Sequence, residues 1–179
     1  MNRFGRRFVI YGPTSSGKST LAQQISHRTG LPHIELDALF WLPDWKEKPL
    51  EKFRSDVSAA LNKHVDGWVC DGNYSNVRDL ILPLADTVVW IRPPFLIAFW
   101  RLLKRTIARS WDGKLLWGIN RESWRQAFFS RKSLILYQIT HWHKYGKIGR
   151  NLDEIPHRAS VIQLRSKKAI EAFLRELES

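Results

Sequence analysis

Residues 6–20 read RRFVIYGPTSSGKST: the apolar run Phe8 to Tyr11 is followed by nine residues made of two glycines, a proline, a lysine and otherwise only hydroxyl side chains. Gly12 to Ser19 fits GxxxxGK[ST], and the context is the one that pattern needs. A short apolar run of the buried-strand kind precedes it, and Leu21, Ala22 and Ile25 recur at helical spacing after it. Glycines permit positive φ and close backbone approach, so successive amides can turn inward around an anion. The helix N-terminus behind them adds unpaired N–H groups and the positive end of its dipole. The stretch Gly12, Pro13, Thr14, Ser15, Ser16, Gly17, Lys18, Ser19 and Thr20 therefore reads as a phosphate cradle. Lys18 would reach the β- and γ-phosphates of a nucleoside triphosphate such as ATP, and the Ser19 hydroxyl would ligate Mg²⁺.

Working outward, short apolar strands alternate with helices. HIEL (33–36), GWVCD (67–71), DTVVWI (86–91) and ASVIQLR (159–165) read as four further strands, with helices over about 49–64, from PPFLIAFW onward, and in the final KKAIEAFLREL. GNYSNVRDLILPLA (72–85) reads as a short helix interrupted at Pro83, and ALFWLPDWKEKP (38–49) as a loop carrying Phe40, Trp41 and Trp45. The alternation predicts an α/β fold, a parallel sheet with helices on both faces joined by right-handed crossovers. Ligands in such a sheet sit beyond the carboxyl ends of the strands. Gly12, Asp37, Asp71 and the Arg92-Pro93-Pro94 turn all fall at such ends, so they can converge.

The chain has 179 residues, which is enough for one core, and residues 1–179 read as a single domain. One cysteine, Cys70, excludes an internal disulfide and a thiol-rich metal cage, and points to a reducing compartment. No run approaches the roughly 18 apolar residues of a membrane span, and there is no room for a leader peptide before the first strand, so the expectation is a soluble cytoplasmic protein. The net charge is +12, of which +10 lies in residues 97–150 together with five of the nine tryptophans. That field attracts polyanions, either nucleotide phosphates or nucleic acid.

Asp71, immediately after the third strand, occupies the position of the carboxylate that holds Mg²⁺ in P-loop proteins, or caps the Asp-Gly turn. Asp37, at the end of the second strand, either orients and deprotonates an acceptor hydroxyl or caps the next turn. Trp41 and its aromatic neighbours either stack a flat substrate or fold back as core. Asn73, Tyr74 and Arg78 follow on the acceptor side, where Arg78 either grips a phosphate or carboxylate or lies on the surface. Arg101, Arg105 and Arg109 recur every four residues and share a stripe, which either stabilises the transferring phosphoryl group, with Arg101 or Arg105 nearest it, or is a solvated face. Arg121 and Arg125 continue this basic set into a lid over about 110–130. His141 and His143 fall on different faces of a helix and do not form a metal pair.

The order GxxxxGKST, LDALFW, DGNY and RPPxxxxxWRLLKR resembles the adenylate-kinase-related P-loop proteins of the DNA-topology-modulation, or FlaR-type, family from about residue 6 to the C-terminus. The resemblance implies a nucleoside-monophosphate-kinase-like P-loop NTPase fold. That is a three-layer α/β/α arrangement with a five-stranded parallel sheet of order 2-3-1-4-5, an acceptor-binding insert over about 37–66 and a helical lid. It also implies phosphoryl transfer from ATP. Asp71, Gly72 and Asn73 stand where nucleoside monophosphate kinases carry DGFPR, and Arg165 to Lys168 where an adenine ring packs on backbone. The chain departs from adenylate kinases in DGNYSNVR and LDALFW, so AMP is not implied as acceptor. Two functions follow from the sequence: an ATP-dependent kinase of a small molecule, nucleotide- or nucleoside-kinase-like, and a nucleic-acid-associated P-loop ATPase affecting DNA topology. A base-reading [NT]KxD motif is absent, which argues against a GTPase.

Overall fold

The computed structural model describes residues 3–112, 140, 142 and 155–177. Its central sheet has five parallel strands: β1 (Arg7–Tyr11), β2 (His33–Glu35), β5 (Trp68–Asp71), β6 (Thr87–Ile91) and β7 (Ser160–Leu164). They lie in the order β2-β5-β1-β6-β7. Counted over these five strands alone that is 2-3-1-4-5, as the resemblance implied, because β3 (Trp41–Leu42) and β4 (Lys46–Glu47) pair antiparallel in a separate hairpin.

Alternation along the strands builds two cores. Phe8 and Ile10 of β1 face one side with Val69, Val89 and Ile91, and there they meet Leu21, Ala22 and Ile25 of helix α1 (Lys18–Thr29) and Phe173 and Leu174 of the last helix, α6 (Lys167–Glu176). Val9 and Tyr11 face the other side with Cys70, Val88 and Trp90, against Phe53, Val57 and Leu61 of α3 (Leu50–Lys63) and Ile81 of α4 (Arg78–Ile81). Strands covered on both faces read as continuous apolar runs, which is why VIY, WVC and TVVWI were legible as strands.

Two segments differ from the sequence reading. The stretch after β2 is not a loop: Leu36–Phe40 form one helical turn, α2, and residues 41–47 form the β3–β4 hairpin. Its turn carries Asp44 at φ 61° and Trp45 at φ 56°. Two successive left-handed residues suit the twist of a tight hairpin, but Asp-Trp lacks the glycine by which such turns are recognised. The second is the segment around Pro83, where 3₁₀ turns at Ser75–Val77 and Leu82–Leu84 flank α4. Helix α5 (Phe95–Asp112) follows β6. Among the described residues no helix is long and apolar enough to cross a membrane.

Candidate active site

The carboxyl ends of β1, β5 and β2 meet at one edge of the sheet, since β5 lies between the other two. The glycine-rich stretch 12–20, which the sequence predicts to be a phosphate-binding P-loop, leaves β1 through Gly12, where backbone packs against backbone. A Cβ there would lie 2.6 Å from the Ile91 carbonyl oxygen and 2.7 Å from Ser16 Oγ, so no other residue fits without displacing β6. Ser15 (φ 59°) and Gly17 (φ 98°) are left-handed, the alternation that turns backbone amides toward a common centre. Helix α1 then starts with no side chain capping it and no acidic residue in its first turn, leaving its N-terminal amides for an anion. Ser15 Oγ and Ser16 Oγ are buried and have no hydrogen-bond partner among the described residues. Orphaned buried hydroxyls in a turn of inward-facing amides fit a phosphate tail.

Lys18 curls back over this loop and donates from Nζ to the Pro13 carbonyl at 3.0 Å. The residue is half-buried, but its ammonium is desolvated, and that is the largest influence on it, pushing its pKa down to about 8. Asp37 and Asp71 act in the opposite sense and Arg105 reinforces the fall. The lysine thus senses both carboxylates singled out in the sequence, and one arginine of the α5 stripe. Ser19 Oγ donates to Asp71 Oδ2 at 2.7 Å. A hydroxyl and a buried carboxylate oxygen side by side form a hard-oxygen pair fitted to Mg²⁺, and they would hold it.

Asn73 makes a local contact: its Nδ2 donates to the Gly12 carbonyl, and its Oδ1 accepts from the Gly12 N–H at 3.3 Å. Both ends of its amide are therefore engaged with the backbone of one residue, Gly12, across two successive peptide groups. Tyr74 donates to Asp37 Oδ1 at 2.6 Å and packs its ring against Phe40 and Phe53, with centroids 4.7 and 5.2 Å away. Burial, followed by the Asp37 charge, pushes the phenol above its usual range, so it remains a donor. Trp41 stands edge-on to Phe40 at 5.0 Å and to Trp45 at 5.6 Å, which makes the hairpin an aromatic wall beside Asp37.

Arg78 lies with its guanidinium carbon 5.5 Å from the centre of the Tyr11 ring, and its buried Nε has no hydrogen-bond partner among the described residues. From α5, Arg101 donates to the Ser16 carbonyl at 3.3 Å. Arg105, one turn further on, is close enough to Lys18 to disfavour its charge. Arg165 donates from Nε and Nη2 to Gln163 Oε1, and Ser166 Oγ caps α6 by accepting from the Ala169 N–H at 3.1 Å. The side chain of Arg109, and Arg121, Arg125, His141, His143 and the lid beyond residue 112, lie outside the described residues.

The sequence reading missed His33. Its Nε2 is 2.7 Å from Asp71 Oδ1. The available signal was the strand itself: a polar residue two positions before a strand end on the sheet face that carries Asp71.

No family model matches this chain, and no curated protein does. Among solved structures, a sugar kinase from Janibacter sp. HTCC2649 superposes with a TM-score of 0.55 at 17% identity, over 97% of this chain and 95% of that one. A gluconokinase from Sinorhizobium meliloti 1021 gives 0.53 at 18% identity, over 98% and 90%. Shikimate kinase from Acinetobacter baumannii, in complex with shikimate, gives 0.53 at 13% identity, over 97% and 92%. At these identities the likeness is one of fold, and it extends over nearly the whole chain: the protein has the α/β fold of the P-loop kinases, with a five-stranded parallel sheet.

Proposed function

We propose that the protein is an ATP-dependent kinase of a small molecule. The observation that carries this reading is a carboxylate brought to the site from outside the P-loop: Asp37, from the insert after β2, is held by the Tyr74 phenol at 2.6 Å, and its charge acts on the Lys18 ammonium. A simple NTPase needs the P-loop and a metal-holding pair. A kinase also needs a group beside the γ-phosphate that handles an acceptor hydroxyl, and Asp37, held by Tyr74 and walled by Trp41, supplies it. The kinases of similar fold act on small molecules according to their descriptions, and that supports the same class of acceptor here.

In this reading the P-loop amides, Ser15 and Ser16 hold the phosphate tail while Lys18 neutralises the β- and γ-phosphates. Ser19 and Asp71 would hold Mg²⁺, which would supply positive charge against the phosphate tail. The acceptor hydroxyl lies between Asp37 and Lys18. Its oxygen forms a bond to the γ-phosphorus as the bond from that phosphorus to the β-bridging oxygen breaks, Asp37 takes the hydroxyl proton, and ADP leaves. Arg105 and Arg101 approach the P-loop from α5 and balance charge on the transferring group. The unpartnered Nε of Arg78 favours an acceptor that also carries an anionic group. Membership of the DNA-topology-modulation family and a lid over about 110–130 belong to the same proposal.

The test is ADP release from Mg-ATP against a panel of sugars, sugar acids, nucleosides and nucleotides. Acceptor-dependent ADP, with the phosphorylated acceptor identified by mass, supports a kinase. ADP that appears only when DNA or RNA is added would replace this reading with that of a nucleic-acid-associated ATPase.

A further inference from the structure

Asp71 uses both of its carboxylate oxygens, and only one partner belongs to the P-loop. Oδ2 accepts from Ser19 Oγ at 2.7 Å, while Oδ1 lies 2.7 Å from His33 Nε2. The carboxylate is 3% exposed and the imidazole 15%. An ionised carboxylate only accepts, so His33 donates from Nε2.

Strand register explains how a residue 38 positions away reaches it. His33 stands opposite Val69 and Glu35 opposite Asp71, so His33 and Asp71 are diagonal neighbours on the sheet face covered by α1. Diagonal neighbours lie about 7–8 Å apart, a gap that a long or aromatic side chain spans. Packing alone does not call for an imidazole here, because Ile34 supplies the apolar contact of β2 on the opposite face. Among the described residues Asp71 is the one hydrogen-bond partner of the His33 imidazole.

We propose that His33 is a positioning residue of the metal site. A carboxylate free to turn about its last bond offers either oxygen to an ion. Tying Oδ1 to the imidazole leaves Oδ2, the oxygen already beside Ser19, as the one presented. Partners that orient a metal-holding carboxylate are typically worth ten- to a hundredfold in metal affinity. The inference rests on the reading of Ser19 and Asp71 as the metal-holding pair, and it adds a group from β2, the strand that also delivers Asp37.

The experiment uses the full chain with saturating ADP and Mn²⁺ as the probe, with free Mn²⁺ followed by electron paramagnetic resonance and thermal stability measured in parallel. His33→Ala is expected to raise the Mn²⁺ dissociation constant about ten- to a hundredfold while ADP affinity in chelator stays unchanged. His33→Gln, whose amide nitrogen replaces Nε2, is expected to recover most of the loss. A Mn²⁺ constant unchanged in folded His33→Ala overturns the proposal, and so does a loss that His33→Gln fails to recover. If His33→Ala does not fold, His33→Leu takes its place; if only His33→Gln folds, the bond serves the fold and the proposal is overturned. Asp71→Asn separates the two readings. If it leaves Mn²⁺ binding intact, the metal-holding pair is misassigned; if it weakens binding while His33→Ala does not, only the role of His33 fails.

Discussion

Tyr74 and Asp37 are joined by a 2.6 Å hydrogen bond from the phenol to Oδ1, tying the loop after β5 to the first turn of α2. The bond fixes one oxygen of the carboxylate whose charge acts on Lys18. If Asp37 takes the acceptor proton, Asp37→Asn lowers kcat about 10²- to 10⁴-fold and leaves ATP affinity near its original value. Tyr74→Phe keeps the ring contacts and loosens the carboxylate, so its loss is smaller. Acceptor-dependent ADP release measures both, and an Asp37→Asn enzyme with normal kcat removes Asp37 from the chemistry.

Lys18 gives the site a pH signature. In the free protein its pKa is about 8, lowered from 10.5 mainly by desolvation. A phosphate tail favours the charged form and lifts the value back. Nucleotide binding near pH 8 should therefore take up protons, and affinity should fall as pH rises above about 8. The stability sign is consistent: between about 8 and 10.5 the unfolded chain holds a proton that the native lysine has lost, so this group's contribution to native stability rises with pH across that window. Calorimetry at pH 8 in two buffers of different ionisation enthalpy reads the uptake directly, and a heat independent of buffer would mean that Lys18 does not meet the phosphate. Lys18→Ala should abolish turnover with the circular dichroism spectrum unchanged.

Asn73 contributes through the backbone it holds. With both amide atoms on Gly12, Asn73→Ala leaves the N–H and carbonyl of that residue without their side-chain partner. The expected cost is about 1–3 kcal/mol of stability, with weaker ADP binding because the phosphate cradle loses its anchor. Urea denaturation and ADP titration test the two parts. Lost stability with unchanged ADP affinity would place the clamp outside the phosphate site.

The arginines of α5 should separate kinetically. Arg101 meets the Ser16 carbonyl, so Arg101→Ala should act mainly on the KM for ATP. Arg105 sits near the Lys18 charge, so Arg105→Ala should lower kcat more than it raises KM, by up to about 10³-fold, the lower end of the range for an arginine at a transferring phosphoryl group. An effect of Arg105→Ala confined to KM would reassign it to ground-state binding.

The sequence by itself determined the parts whose physics is local. A strand, a glycine-rich turn and a helix start are adjacent between residues 7 and 20, so this strand–turn–helix could be read before any contact was known. The alternation of short apolar strands with helices likewise dictated a parallel sheet, because only crossovers packed on both faces bury such strands. Lys18, Ser19, Asp37 and Asp71 could be singled out as candidates because each lies at a strand end or in the first helical turn after one.

Tertiary structure alone decided which of these groups touch. The bond between His33 and Asp71 spans 38 residues and that between Asn73 and Gly12 spans 61. Both depend on β5 lying between β2 and β1 and on the register of those strands, which hydrophobic periodicity does not encode. The β3–β4 hairpin was hidden for a related reason: its left-handed turn is formed by Asp44 and Trp45 rather than glycine, and the ring contacts from Trp45 through Trp41 and Phe40 to Phe53 that give the segment its place are tertiary.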